Sequence, residues 1–205
     1  MLRLLAVPLA ALSFHAVIQP LSPPVRAELS GKYWHPGCPV PLSALRVLTV
    51  THWGFDGRVH TGQLVANQDA VPKLERVFRR LYELRFPIRD MRLSDAYARS
   101  QPSDVSDAFE CRQAVPSPCT GGTGTGHWSE HAYGEAIDLN PVENPYVGCG
   151  MTRDAVSRPY LDRSRLRKGM VTAAVVAAFP SVGWGWGGAW SGSTKDYMHF
   201  SATGH

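Results

Sequence analysis

The chain has 205 residues, 44% of them hydrophobic, and a formal net charge of +4. That length suits one domain with a core of its own. So mild a basic excess argues against a nucleic-acid binder, which needs a concentrated cationic face.

The chain opens with "MLR", runs on through the apolar "LLAVPLAALSFHAVI" and reaches "VRA", the layout of a secretory signal cleaved after Ala27. Its apolar part is too short to span a bilayer, and Pro8 and Pro20 interrupt it. Both features disfavour the other reading, a membrane-tethering helix. Removing residues 1–27 takes away Arg3 and Arg26 and no acid, so 21 basic residues become 19 against 17 acidic ones, a net charge of +2. The remaining residues, 28–205, form the expected single domain. In an oxidising compartment, Cys38, Cys111, Cys119 and Cys149 imply two disulfides, with three pairings possible. None of these cysteines has the close spacing of a zinc knuckle.

After a Pro-rich linker at 19–24, "LRVLTVTHWGF" and "GQLVAN" are β-branched, apolar and bounded by glycines, which predicts two strands. A helix follows, with Asp69 as its cap. Val71, Leu74, Val77, Phe78, Leu81 and Leu84 recur at helical spacing, and Lys73, Arg76, Arg79 and Arg80 form its solvated face. "MRLSDAY" (91–97) predicts a third strand. Polar and Pro/Thr/Gly-rich loops come next, at 99–106 and 116–126, and irregular chain of this length often builds a site. "GMVTAAVVAAFP" predicts a second helix with Val171, Ala174, Val175 and Ala178 on one face and Pro180 as its stop. Strands, then helices, then strands without regular alternation favour an α+β fold, an antiparallel sheet with flanking helices.

The chemistry concentrates in "HWSEHAYGEAIDLN" (127–140) and "DYMHF" (196–200). Strand alternation points Ala136, Asp138 and Asn140 to one side and Ile137 and Leu139 to the other. Gly134 permits the turn that returns His131 over Asp138. Asp196 is placed at the end of a loop and His199 on the strand that follows. Two histidines and a carboxylate make a usual catalytic zinc site, and a further carboxylate, Asp196, can take a proton from water. A competing motif overlaps this one: His127, Glu130 and His131 spell the inverted zincin H-x-x-E-H, with Glu130 as base. That motif needs a helix, and the glycines at 121, 122, 124, 126 and 134 leave hardly two turns for one. No G-x-S-x-G elbow occurs, which disfavours a serine hydrolase.

Taken together, "SEHAYGEAID" and "DYMHF" resemble the S-x-H-x-x-G-x-A-x-D and D-x-x-H signatures of the zinc D-alanyl-D-alanine carboxypeptidase family, the VanY-type peptidases, which include L-alanyl-D-glutamate endopeptidases. The likeness extends to "AFECR", "NPVENPY", "GWGWGGAW", "WGFDG" and "FPI", nearly the whole mature chain. It implies a hedgehog/DD-peptidase-like fold and a Zn2+ site held by His131, Asp138 and His199, with Asp196 as general base. It also implies that Arg112 engages the substrate and the oxyanion, with Arg99 a second position for that role. Val105, Ser106 and Asp107 stand where the family often has an Asn-Thr-Ser run, so the pocket shape departs from the family pattern there.

Ser129 is expected to hydrogen-bond near the site. Trp186 is expected to touch substrate, with Trp184 and Trp190 either lining a cleft or closing the core. Cys119 and Cys149 bracket the metal segment, which favours their pairing and leaves Cys38 with Cys111. The implied activity is exported hydrolysis of peptidoglycan stem peptides by a D,D-carboxypeptidase. The alternatives are an L-alanyl-D-glutamate endopeptidase and a zinc-containing wall-binding module without catalysis.

Overall fold

The structure, a computed structural model, describes residues 13–93 and 104–205. Its longest regular feature is the hairpin of β2 (Leu45–Gly54) and β3 (Val59–Asn67), in register from Leu45 opposite Asn67 to Trp53 opposite Val59. Alternation along β2 sends Leu48 and Val50 to one core and Leu45 and Val47 to another. Both faces of the strand are therefore buried. β1 (Ala16–Pro20) pairs antiparallel with β2, and α1 (Pro23–Leu29) follows it. β1 and most of α1 fall within the segment read as a secretory signal. Four of the five β1 residues are exposed, while Leu21 just beyond it is buried in the second core.

α2 (Val71–Glu83) lays Val71, Leu74, Val77, Phe78 and Leu81 against the main core, as the periodicity predicts, with Arg76, Arg79 and Arg80 exposed. Tyr82, not Leu84, completes its buried face. Asp69 does not cap it. The N-cap is Ala70, while Asp69 is held in the preceding turn by its own N–H, which donates to Asn67 Oδ1 at 3.2 Å.

β4 (Pro87–Ile88) then pairs parallel with the end of β2. The third strand predicted at 91–97 does not form over its described part. Residues 91–93 are irregular, and 94–97 lie outside the described residues, as does Arg99.

The remaining chain uses short elements: α3 (Glu130–Tyr133), β5 (Ala136–Asp138), β6 (Tyr146–Val147), α4 (Ala173–Val176), β7 (Gly185–Trp186), β8 (Lys195–Asp196) and β9 (His199–Ser201). The second predicted helix shrinks to one turn, started by the Thr172 hydroxyl accepting from Val175 N–H. Val171, Val175 and Ala178 are buried as expected, and Ala174 faces outward. β5, β9 and β7 form a three-stranded antiparallel sheet, and β6 pairs antiparallel with β8. The architecture is thus one small α+β domain with mostly antiparallel sheets.

Phe200, fully buried, anchors the small sheet by stacking on Phe179 with ring centroids 3.6 Å apart. It lies next to His199, so the packing of the core sets the position of that side chain. Truncating Phe200 to Ala is expected to cost about 3–5 kcal/mol.

Both cysteine pairs are disulfides, Cys38–Cys111 and Cys119–Cys149, the pairing that the bracketing argument favours. No helix among the described residues is long and apolar enough to cross a membrane.

Candidate metal centre and cleft

Ser129 ends an extended segment, and its Oγ accepts from His131 N–H at 3.3 Å, capping the single turn of α3. Gly134 closes that turn at φ 68 with its N–H on Glu130 and His131 carbonyls. A Cβ at Gly134 would lie 2.6 Å from Asn67 N, so both the conformation and the space require glycine. The chain then enters β5, where Asp138 sits directly opposite His199 of β9. Turn and strand pairing together bring three side chains to one point.

There, His131 Nε2 lies 3.2 Å from His199 Nδ1 and 3.3 Å from Asp138 Oδ1, and His199 Nδ1 lies 3.1 Å from the same oxygen. Zinc bonds of about 2.0–2.1 Å in tetrahedral geometry put neighbouring ligand atoms about 3.3 Å apart, so this donor triangle has the size of one face of a zinc tetrahedron.

The tautomers agree with that reading. A carbonyl oxygen can only accept, so His131 Nδ1 must donate to Ala108 O at 2.6 Å and His199 Nε2 to His205 O at 3.2 Å. In the neutral rings the nitrogens facing each other therefore carry lone pairs, the form a metal would require, and the two carbonyls fix both rings from behind. Burial disfavours charge on His131, yet the adjoining Asp138 overrides this and raises it to about 9. Burial likewise opposes a charged Asp138, but His131 and His199 hold it well below the usual carboxylate range.

The triangle opens on a cleft of about 360 Å3, whose walls also carry Arg112, Ser129, Glu130, Tyr146, Trp190 and Asp196. Asp196 is placed by β8, where it pairs with Tyr146 of β6, and by Gly187, where a Cβ would come 2.6 Å from the Asp196 carbonyl. Asp196 Oδ1 is buried with no hydrogen-bond partner among the described residues. Burial, then the Asp138 charge, push its carboxyl up to about 7, against the pull of His199, His131 and Arg112. A carboxylate so tuned suits proton transfer near neutrality. Arg112 gives its Nε–H to the Glu110 carboxylate and an Nη1–H to Gln113 O at 3.2 Å.

Residues 123–202 match the family model described as D-alanyl-D-alanine carboxypeptidase. The family resemblance read from the motifs is therefore shown, over the segment that contains His131, Asp138, Asp196 and His199. Arg112 lies outside the matched residues. No curated protein and no solved structure matches the chain.

His131, Asp138 and His199 thus converge, with Asp196, Arg112 and Ser129 on the walls of the same cleft. Trp186 does not join them. Its indole N–H donates to Tyr197 O at 3.0 Å and its ring stacks on Phe200, so it closes the core. Trp184 is buried there too, while Trp190 reaches the cleft. Asn140 departs from the strand face with Asp138: at φ 45 it turns inward, fully buried, and donates to Pro87 and Gly169 carbonyls. The inverted zincin helix is absent, since α3 begins at Glu130 and His127 lies exposed ahead of it. Sequence reasoning missed Tyr146 as a wall and the Ala108 and His205 carbonyls as ring supports. Main-chain acceptors leave no signal in residue identity.

Proposed function

We propose that the protein is an exported zinc peptidase that removes the terminal D-alanine from peptidoglycan stem peptides, with a hedgehog/DD-peptidase-like fold and the first 27 residues removed on export. His131, Asp138 and His199 would hold the ion through the three atoms that face one another. The chemistry zinc supplies is activation of water near neutral pH and polarisation of a carbonyl.

In this reading Asp196 accepts the proton of the attacking water as the new C–O bond forms, and then gives one to the leaving amine as the oxyanion collapses and the peptide C–N bond breaks. Arg112 would draw on its two-pronged donor geometry to hold the oxyanion or the substrate carboxylate. Ser129 positions His131 through the cap of α3, and Trp190, rather than Trp186, offers a flat face to the substrate. The family match supports a peptidase, and the observation that carries the catalytic reading is the unpartnered, buried Asp196 oxygen beside the ligand triangle. A purely structural metal site would have no use for such a base outside its ligands.

Incubating purified sacculi with the protein and weighing the products tests the assignment. Loss of single alanines is expected. Cleavage between alanine and glutamate would make the protein an endopeptidase, and binding without any product would make it a wall-binding module.

A further inference from the structure

A second concavity, of about 470 Å3, lies between the turn of the β2–β3 hairpin, the end of α2 and residues 167–175, and shares no lining residue with the metal cleft. Its floor is apolar, formed by Trp53, Phe86, Pro87, Met170 and Val175. Arg85, Arg167 and Lys168 line it, and no carboxylate does. None of these three cations forms an ion pair among the described residues. Arg85 lies over the Trp53 ring at 4.9 Å, Arg167 over Tyr160 at 5.7 Å, and Lys168 donates to Phe55 O at 2.5 Å.

The backbone at Arg85 supplies an independent observation. α2 ends with Phe86 N–H on Leu81 O and Arg85 N–H on Tyr82 O, the Schellman pattern. Arg85 holds the left-handed position of that pattern at φ 51, where glycine sits without strain. The helix end therefore keeps an arginine at a conformational cost, at the one residue that places a guanidinium over Trp53. Strain retained beside a concave cationic surface points to a ligand.

We propose that this second pocket binds a carboxylate-bearing peptide segment, namely an acidic stem peptide of the wall polymer that is not the one being cut. The cationic rim takes the carboxylate, with Arg85 offering a planar fork, and the apolar floor takes the aliphatic side chains. This rests on the peptidoglycan reading above. It adds that the protein holds its polymer at two points, which raises the local concentration of stems at the metal cleft.

The test uses the full zinc-loaded chain carrying Asp196→Asn, so that nothing is hydrolysed, titrated calorimetrically with an N-acetylated alanyl-glutamate dipeptide and separately with inorganic phosphate. The dipeptide is expected to bind. Adding Arg85→Gly, which relieves the helix end and removes the cation, should weaken binding ~10-fold without lowering the unfolding temperature. With Asp196 restored, Arg85→Gly should cleave a short soluble D-Ala-D-Ala peptide at the wild-type rate and release less alanine from sacculi.

Equal dipeptide binding by the Arg85→Gly protein, no dipeptide binding at all, or binding of phosphate in preference to the dipeptide would each overturn the proposal. Dipeptide binding that depends on Arg85, in a protein that cleaves no stem peptide, would instead overturn the catalytic reading and leave the pocket standing.

Discussion

Asp138 and His199 face each other across β5 and β9, their Oδ1 and Nδ1 atoms 3.1 Å apart. The pairing register of two three-residue strands thus fixes two of the three proposed ligands, and a one-residue slip would turn one of them to the other face of the sheet. His131 joins from a single helical turn. Replacing His131, Asp138 or His199 with Ala should each abolish stoichiometric zinc, and His127→Ala should leave it intact, as read by metal analysis of purified protein. Loss of zinc from His127→Ala with retention by Asp138→Ala would return the site to the inverted zincin arrangement.

Asp196 also makes a stability prediction. Its folded-state pKa of about 7 lies above the usual carboxylate value of 3.8. The folded state therefore holds that proton more tightly than the unfolded one, and stability contributed by the protonated form is lost as pH rises from about 4 through about 7. In metal-free protein, Asp196→Asn should melt roughly a few degrees above wild type at pH 8. The difference should shrink towards pH 4, and shrink again at pH 8 when zinc is added. A gap independent of pH in thermal scans would contradict the buried, uncompensated carboxylate.

The Cys119–Cys149 disulfide joins the loop before the metal segment to the chain after β6, whose Tyr146 lines the cleft. Gly148 packs against that loop, where a Cβ would lie 2.4 Å from Ser117 Oγ. With a sequence separation of 30, loop-closure entropy assigns the bond about 3–4 kcal/mol. A Cys119→Ser/Cys149→Ser protein should melt roughly 10 °C lower and show a raised KM with kcat less affected. An unchanged melting temperature would mean that the wall is held without the bond.

The proposed cleavage after Ala27 would remove β1, most of α1 and Leu21, and would leave one edge of β2 uncovered. Because β1 is largely exposed, its loss forfeits little apolar burial, and the cleaved domain should still fold. N-terminal sequencing of protein recovered outside the cell is expected to begin at Glu28. A start at or before Ala16 would show that β1 remains part of the working protein.

Long periodic segments were legible from residue types alone: β2, β3 and the buried stripe of α2 stand where pattern predicted them. The convergence of His131, Asp138 and His199 was legible because their spacing is one that a turn and a strand can satisfy. The second helix was overestimated because its alanine and valine run carries helical spacing for three turns, while Thr172 and the Pro180 turn leave only one. Trp186 was misplaced for a similar reason. Three tryptophans among glycines look alike in sequence, and only the pairing of β7 with β9 decides that Trp186 stacks on Phe200 while Trp190 turns to the cleft. The two carbonyls behind His131 and His199 depend on tertiary contact and had no expression in the sequence at all.

The central claim is that Asp196 acts as a base beside a zinc ion held by His131, Asp138 and His199. Its most direct test is the zinc content and turnover of Asp196→Asn on a stem peptide ending in D-alanyl-D-alanine, followed by mass spectrometry. The account predicts one zinc per chain in both proteins, loss of one alanine with wild type, and a rate at least ~100-fold lower with the variant. Near-normal release of alanine by the zinc-loaded Asp196→Asn protein would contradict it.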